Sequence, residues 1–414
     1  MRIIVSGAGV GGLAATQGLV AAGHDVVVLE RGELPKSGPS GYRLRLDSRA
    51  VHTLERLLPT PVWTALLASG SGSAVNQRLT YLDQHLRPLG ITRQSDHDVL
   101  MIGRGPLLRL LAHGITDHVR ERRECLSFQI SPTSVSVTTA DGQIETGDML
   151  VIAEGVHSPL RRQLLGDTGS YELDVTAVSG RIPGRATEHG LAAVAGALAH
   201  GYALATGRGG IGLFLSAHDP ATGATIDSAS VDTAIAPELE DPYLIWALLG
   251  PQRQLPVPGT PPAELRPAVE ELTRRWHHDI TRLAGLSDPD SMRSFALYAA
   301  PPVPRWPTSA VTLLGDAVHA VPPTGGIGAS TAIRDAGHLV HALTGVDDRS
   351  GVLRGLRHYE QNMRGYADDI VAGSVAPLRW QRRLRHPAVY AAVTGIRGGW
   401  FALTGRSLSL PSRN

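Results

Sequence analysis

Residues 2–30 place the tightest constraint on what this chain can fold into. Arg2–Ser6 (RIIVS) is a continuous apolar, β-branched run stopped by glycine, and it reads as a short strand buried on both faces. Gly7, Gly9 and Gly12 follow at once as G-x-G-x-x-G, with Val10 and Gly11 completing the turn into a helix. Gly23 closes that helix, and His24–Glu30 (HDVVVLE) is a second buried strand, which makes a parallel βαβ unit. Each glycine has a physical task. Gly7 permits the sharp turn, Gly9 lets a bound group approach the main chain, and Gly12 lets helix and strand pack closely. The helix N-terminus offers free N–H groups and the positive end of its dipole to phosphates. Glu30 ends the second strand, 18 residues after Gly12, where a carboxylate accepts both ribose hydroxyls of a dinucleotide. That carboxylate repels a phosphorylated ribose, so the site suits FAD or NAD, not NADP. A second G-x-G-x-x-G at Gly207, Gly209 and Gly212 lacks this setting. A strand-like run follows it and no acid comes at the right distance, so it reads as a hairpin turn.

Length and composition bound the rest. A chain of 414 residues with 42% hydrophobic residues has room for two domains with sizeable cores. The net charge of +1 gives no global field toward nucleic acid or an acidic membrane, and no nucleic-acid or membrane partner is expected. Cys125 is the only cysteine, so neither a disulfide within the chain nor a cysteine-rich metal site is possible. No histidine pair has H-E-x-x-H spacing, and no metal is expected. There is no window of 18 apolar residues, and the chain opens directly on a strand; the expectation is a cytoplasmic monomer or homodimer.

Along the chain, Ser48–Leu58 is helix-like and ends at Pro59 and Pro61. Leu79–Ile91 reads as strand–turn–strand, Arg104–His113 as helix, and Ser127–Ile152 as a period-two, β-rich stretch. Residues 171–280 hold short strand candidates, the glycine-heavy Gly201–Leu215 and a proline cluster at 251–262, and read as a mixed sheet. From about 350 the pattern is helical and arginine-rich. The fold expected is α/β: a Rossmann-like dinucleotide-binding domain from 1–70, 98–170 and 281–345, an inserted mixed-sheet substrate domain from 71–97 and 171–280, and a helical C-terminal region over 346–414.

Two more segments carry chemistry. Residues 148–161 (DMLVIAEGVHSPLR) run from a buried strand into Glu154-Gly155, then to Ser158 at an N-cap and Pro159 at the first helical position. Residues 313–335 (LLGDAVHAVPPTGGIGASTAIRD) end a strand at Gly315-Asp316 and pass through a proline–glycine loop to a helix. Asp316 is placed to hold a ribityl or ribose hydroxyl, and the loop amides to meet developing negative charge.

The three segments together, Gly7–Glu30, Ala153–Arg161 and Gly315–Gly328, resemble the group A flavin monooxygenases, the para-hydroxybenzoate hydroxylase-like aromatic hydroxylases. The likeness spans roughly residues 1–345. It implies that Glu30 binds the adenosine ribose with Arg31 beside the adenine, and that Arg104 approaches the ribityl–phosphate arm of FAD. It implies that Asp316 binds the sugar chain, and that Pro323, Gly325, Gly326, Ile327 and Gly328 border the isoalloxazine. Arg45 corresponds to an arginine near the pyrophosphate and the path of a mobile flavin. Glu154 stands where the family has Asp, a longer side chain at a place whose contacts the resemblance assigns to FAD and NAD(P)H; Ser330 stands where the family usually has Asn, which implies a weaker hold on the pyrimidine edge of the flavin.

The resemblance further implies an NADPH- or NADH-driven enzyme that transfers one oxygen atom of O2 to a small aromatic or polyketide-like molecule, with no side-chain nucleophile and a place in secondary metabolism. Cofactors carry such chemistry, and the protein positions the substrate and excludes water. Candidate substrate contacts from strand-like segments are Tyr202, Leu213, Phe214, Leu215, Phe295, Leu297 and Tyr298. Baeyer–Villiger oxygenation and epoxidation stay open at this stage, as does a non-catalytic FAD-binding protein. A flavin halogenase is disfavoured, because there is no W-x-W-x-I-P and Lys36, the sole lysine, falls in a surface-like loop.

Overall fold

The computed structural model describes residues 1–36, 42–71, 78–93, 99–166, 169–199, 201–220 and 235–404, with side chains through 395. The buried apolar runs assemble into a five-stranded sheet in the order Val311–Leu313, Met149–Ile152, Arg2–Ser6, Asp25–Leu29, Val119–Arg120. Every pairing in it is parallel. Strands buried on both faces need no alternation, which is why these segments read as unbroken apolar runs. Helix Val10–Ala21 carries small residues because a second helix, Gly328–Leu343, lies hard against it: a Cβ on Gly11 would stand 3.1 Å from Ala332 Cβ, and one on Gly18 2.7 Å from Val340 Cγ2.

A seven-stranded sheet forms the other half, in the order Arg293–Ala299, Tyr171–Pro183, Tyr243–Gly250, Gly212–His218, Gly201–Thr206, Arg78–Asp83, Pro88–Arg93. All its pairings are antiparallel except that of Gly201–Thr206 with Arg78–Asp83. Leu213, Leu215, Leu244, Trp246 and Leu248 point to its outer face and build a core with Leu191, Val194, Leu265, Val269 and Leu283 from the covering helices. The opposite face looks toward the parallel sheet. The mixed α/β class read from the sequence is therefore the one observed.

Some local expectations change. Pro59 and Pro61 do not merely end a helix. Pro61 sits in the first turn of a further helix, Thr60–Ser69, where a missing N–H costs nothing. The middle of the chain holds one 13-residue strand, Tyr171–Pro183, and helices including Pro262–Thr273, which the proline cluster hid for the same reason. The Gly207–Gly212 stretch is a hairpin connection, as expected, joining the antiparallel partners Thr206 and Gly212.

Helix Arg349–Arg383 is 35 residues long and carries Pro377 within it. Tyr359 donates to Leu313 O of the parallel sheet at 2.8 Å, and buried Glu360 accepts from Trp306 and Thr312, both at 3.1 Å. Near its other end Gln381 Nε2 donates to Leu249 O of the seven-stranded sheet at 3.0 Å and to Gly210 O, in the connection between two of its strands, at 2.9 Å. No described helix is long and apolar enough to cross a membrane.

Candidate functional site

One continuous cavity of about 1740 Å³ lies between the two sheets. Its first wall is the glycine turn. Gly7 has φ +106°, and a Cβ there would stand 2.5 Å from Ala153 O; a Cβ on Gly12 would stand 2.1 Å from Gly7 O. Both positions are closed to any side chain by the backbone itself. Gly9 is the opposite case: nothing lies within 4 Å of where its Cβ would be, and that open space belongs to the cavity. The helix starting at Val10 has no side-chain cap and no acid in its first turn, so its N–H groups face the cavity undischarged.

Glu30 lines the same cavity. Its Oε2 accepts from Ala8 N at 2.7 Å and its Oε1 from Gly32 N at 2.8 Å. These bonds fix the carboxylate on the turn and leave each oxygen a further lone pair for a ligand hydroxyl. Arg31, Arg45 and Arg104 also line it, as do Val10, Gly11, Gly315, Asp316, Pro323, Gly325, Gly326 and Gly328. Ile327 is the residue before helix Gly328–Leu343 and does not line the cavity. An open cradle with unmet amides and a fixed carboxylate fits the pyrophosphate and ribose of FAD.

The two departures from the family pattern have structural roles. Glu154 Oε1 accepts from Ser6 Oγ at 2.6 Å, and its Oε2 accepts from Ser158 Oγ, whose own oxygen caps Arg161 N at 2.9 Å. The longer acid thus ties the first strand to the Pro159–Leu165 helix; burial holds its carboxyl above the ordinary range, against the pull of these hydrogen bonds. Ser330 is 2% exposed and does not line the cavity. It accepts from Asp47 N at 3.0 Å and donates to Arg45 O at 3.2 Å, so it holds the Arg43–Leu46 strand in place.

Beneath Gly315 and Asp316 lies a buried network absent from the sequence reading. Asp335 Oδ2 accepts from Gly315 N at 2.8 Å and meets His319 Nε2 at 2.6 Å, and Tyr366 donates to Asp335 Oδ1. Burial opposes charge on His319, but the Asp335 carboxylate prevails and holds the imidazole above its ordinary range. Burial likewise raises Asp316. His319, 1% exposed, therefore acts as a packed strut beneath this loop. His277, His278 and Asp279 also come together, but in structural contacts: His277 Nδ1 accepts from Asp279 N at 3.2 Å, and Asp279 Oδ2 accepts from Ala193 N at 2.9 Å, tying this turn to the start of the Ala192–Leu198 helix.

The far wall is the inner face of the seven-stranded sheet. Strand alternation puts Tyr202, Leu204, Phe214, Ser216, Ala247 and Phe295 on it. Of the substrate candidates, Tyr202, Phe214 and Phe295 therefore line the cavity. Leu213 and Leu215 do not: each follows or precedes Phe214 by one residue and so faces the outer core. Leu297 packs against Ala177 and Leu378, and Tyr298 sets its ring edge-on to His157 at 4.9 Å; neither reaches the cavity. Arg43, Arg181 and Ser216, which do line it, carried no sequence signal beyond strand periodicity.

Relatives fit this geometry. The chain is 29% identical to the dual O-methyltransferase/FAD-dependent monooxygenase elcB of Phaeosphaeria nodorum over 90% of its own length and 43% of the relative's. It is 25% identical to chloroplastic zeaxanthin epoxidase of Nicotiana plumbaginifolia over 88% of its length and 52% of that protein. The chain thus spans about half the length of these curated relatives. Its fold matches Klebsiella pneumoniae HpxO, solved with FAD and uric acid, with TM-score 0.75 at 20% identity, covering 98% of this chain and 95% of that one. Residues 1–200 and 258–374 match the model of the FAD binding domain family, and the chain belongs to that family, the group A flavin monooxygenases.

Proposed function

We propose that this chain is an FAD-dependent, NAD(P)H-driven monooxygenase that hydroxylates a small aromatic or polyketide-like molecule. The observation that carries this reading is the continuity of the cavity: the glycine cradle for a dinucleotide and a sheet face studded with aromatic and polar side chains open into one space. Bound FAD supplies the redox chemistry, taking electrons from a nicotinamide and activating O2. The chain's own residues do the rest. The helix start at Val10 and Glu30 hold the pyrophosphate and adenosine ribose, and Arg31 and Arg104 flank that arm. Gly315–Asp316 and Gly325–Gly328 border the ring system. Leu204, Phe214, Ala247 and Phe295 exclude water from the reacting end, which suppresses wasteful peroxide release. We read 71–97 and 171–280 as the part that sets substrate choice. Among the described residues no second dinucleotide turn lines the cavity, in keeping with a nicotinamide that docks and leaves.

The test is a purified holoprotein assayed for NADH and NADPH oxidation across a panel of phenols, with products scored by mass under isotopically labelled O2. Label in the product supports the reading. Bound FAD that neither nicotinamide reduces with any of the phenols points instead to a non-catalytic flavoprotein. The likeness to zeaxanthin epoxidase supports epoxidation as a second reading. It predicts label in a product from an alkene acceptor and none from phenols.

A further inference from the structure

Helix Arg349–Arg383 gives the cavity a further wall. Gly373, Ala376, Pro377, Trp380 and, at the C-cap, Leu384 line the cavity at the spacing i, i+3, i+4, i+7, i+11, which is one face of a helix. Trp380 is the only aromatic residue on that face. The face has a fixed origin. Thr324 Oγ1, in the loop assigned above to the flavin, donates to Ser374 O at 2.7 Å, and a Cβ on Gly325 would stand 3.1 Å from Ser374 Oγ. Trp380 lies six residues beyond Ser374, about 9 Å along the helix axis.

The far end of this span is pinned as firmly. Gln381, next to Trp380, is held by Leu249 O and Gly210 O, and its Nε2 comes so close to the sheet that a Cβ on Gly212 would stand 2.9 Å from it. Gly212 pairs with Thr206 on one side and Leu249 on the other, and all three line the cavity. The next inward row, two residues along each strand, is Leu204, Phe214 and Ala247. Helix Pro387–Thr404 reaches the same end: Tyr390 OH donates to Thr206 O at 3.4 Å, and Val393 lines the cavity. Trp380 thus stands where both helices meet the last row of the sheet. An indole has only two side-chain torsions, and here its main chain cannot recede, so a guest that reaches it meets a rigid wall.

We propose that Trp380 is a specificity-determining residue: its indole ends the acceptor slot, so that the cavity selects flat acceptors by their length from the flavin loop. This rests on the reading of the cavity as the acceptor site. A close-packed wall does not stretch to admit extra atoms, and a misfit of even one small group in an apolar pocket is worth about tenfold or more in selectivity, which makes the assignment measurable.

The experiment titrates phenol, 2-naphthol and 2-anthrol, a ladder of increasing ring number, into the FAD-loaded protein and follows the flavin absorption spectrum. In the wild type, affinity is expected to fall about tenfold or more from 2-naphthol to 2-anthrol; Trp380→Ala is expected to abolish that fall and Trp380→Phe to leave part of it. FAD retention and urea melts report folding separately, and if Trp380→Ala loses its FAD, Trp380→Leu and Trp380→Phe carry the comparison. The proposal is overturned by a fall that is the same in the wild type and every FAD-retaining variant, or by a common weakening of the whole ladder, the mark of a purely structural Trp380. It is overturned as well by a wild type that prefers 2-anthrol or binds none of the three. A length preference that moves with substitution of Trp380, in a protein that no nicotinamide reduces, upholds the wall and sinks the oxygenase reading. Labelled oxygen in a phenolic product, with a length preference indifferent to Trp380, does the reverse.

Discussion

The two walls of the cavity are built on different principles. The parallel-sheet wall works through main chain: Gly7, Gly9 and Gly12 contribute by having no side chain, and the binding groups are amides. The seven-stranded wall works through side chains whose direction depends on register, so that Phe214 faces the cavity while Leu213 and Leu215 on either side face the opposite core. Backbone function tolerates almost no substitution but needs only local sequence to specify it. Side-chain function tolerates substitution freely but is specified by strand partners far away in the chain.

Substitutions can break this contrast. Gly12→Ala carries the largest expected effect, because its Cβ meets backbone at 2.1 Å. Loss of about 3 kcal/mol in urea unfolding is expected, with FAD retention lost as well. Gly9→Val, in open space, should leave unfolding of the FAD-free protein within about 0.5 kcal/mol of wild type while abolishing FAD retention on gel filtration. Equal destabilisation by the two would erase the distinction between a packing glycine and a binding glycine.

On the other wall, Leu213→Ala should cost about 3 kcal/mol, the usual consequence of emptying a packed core site. Leu204→Ala, on the cavity side, should cost under about 1.5 kcal/mol and instead raise KM for the acceptor. Matching stability losses would show that the inner face is core, not binding wall.

The smallest effect concerns pH. Because the folded state holds the His319 imidazole above its ordinary range, the protonated ring stabilises the fold. That contribution is fully present below about pH 6.5, the unfolded value, and is lost as pH rises through the higher folded value. The stability gap between wild type and His319→Gln, from denaturant melts, should therefore narrow between pH 6 and pH 9. A gap that widens with pH would mean the ring is buried neutral.

What could be read from the sequence divides along the same line. The glycine turn, Glu30, Ser158 and the Gly315–Gly328 loop all announce themselves through neighbours a few residues away, and the structure brings them to one cavity. Tyr202, Phe214 and Phe295 came from strand propensity, but so did Leu213, Leu215 and Leu297, because propensity does not say which face is inward. Arg43 was hidden in a short strand, and its position under Ser216 depends on packing between segments 174 residues apart. Asp335 was invisible as a partner for His319 and Gly315, since the 16 and 20 residues between them fold back through a loop. Prolines misled where they began helices, at Thr60–Ser69 and Pro262–Thr273, because their ring is tolerated in a first turn.

The helix Arg349–Arg383 has a mechanical consequence. At 1.5 Å per residue it runs about 50 Å, and it is fastened to the parallel sheet at Leu313 and to the other sheet at Leu249. Between them it also takes Thr324, beside the glycine loop, by a bond to Ser374 O at 2.7 Å. Such a rod braces both walls at a set spacing. A clamshell swing of one half against the other would have to break these ties or bend the helix at Pro377, which lies between the Ser374 and Gln381 anchors.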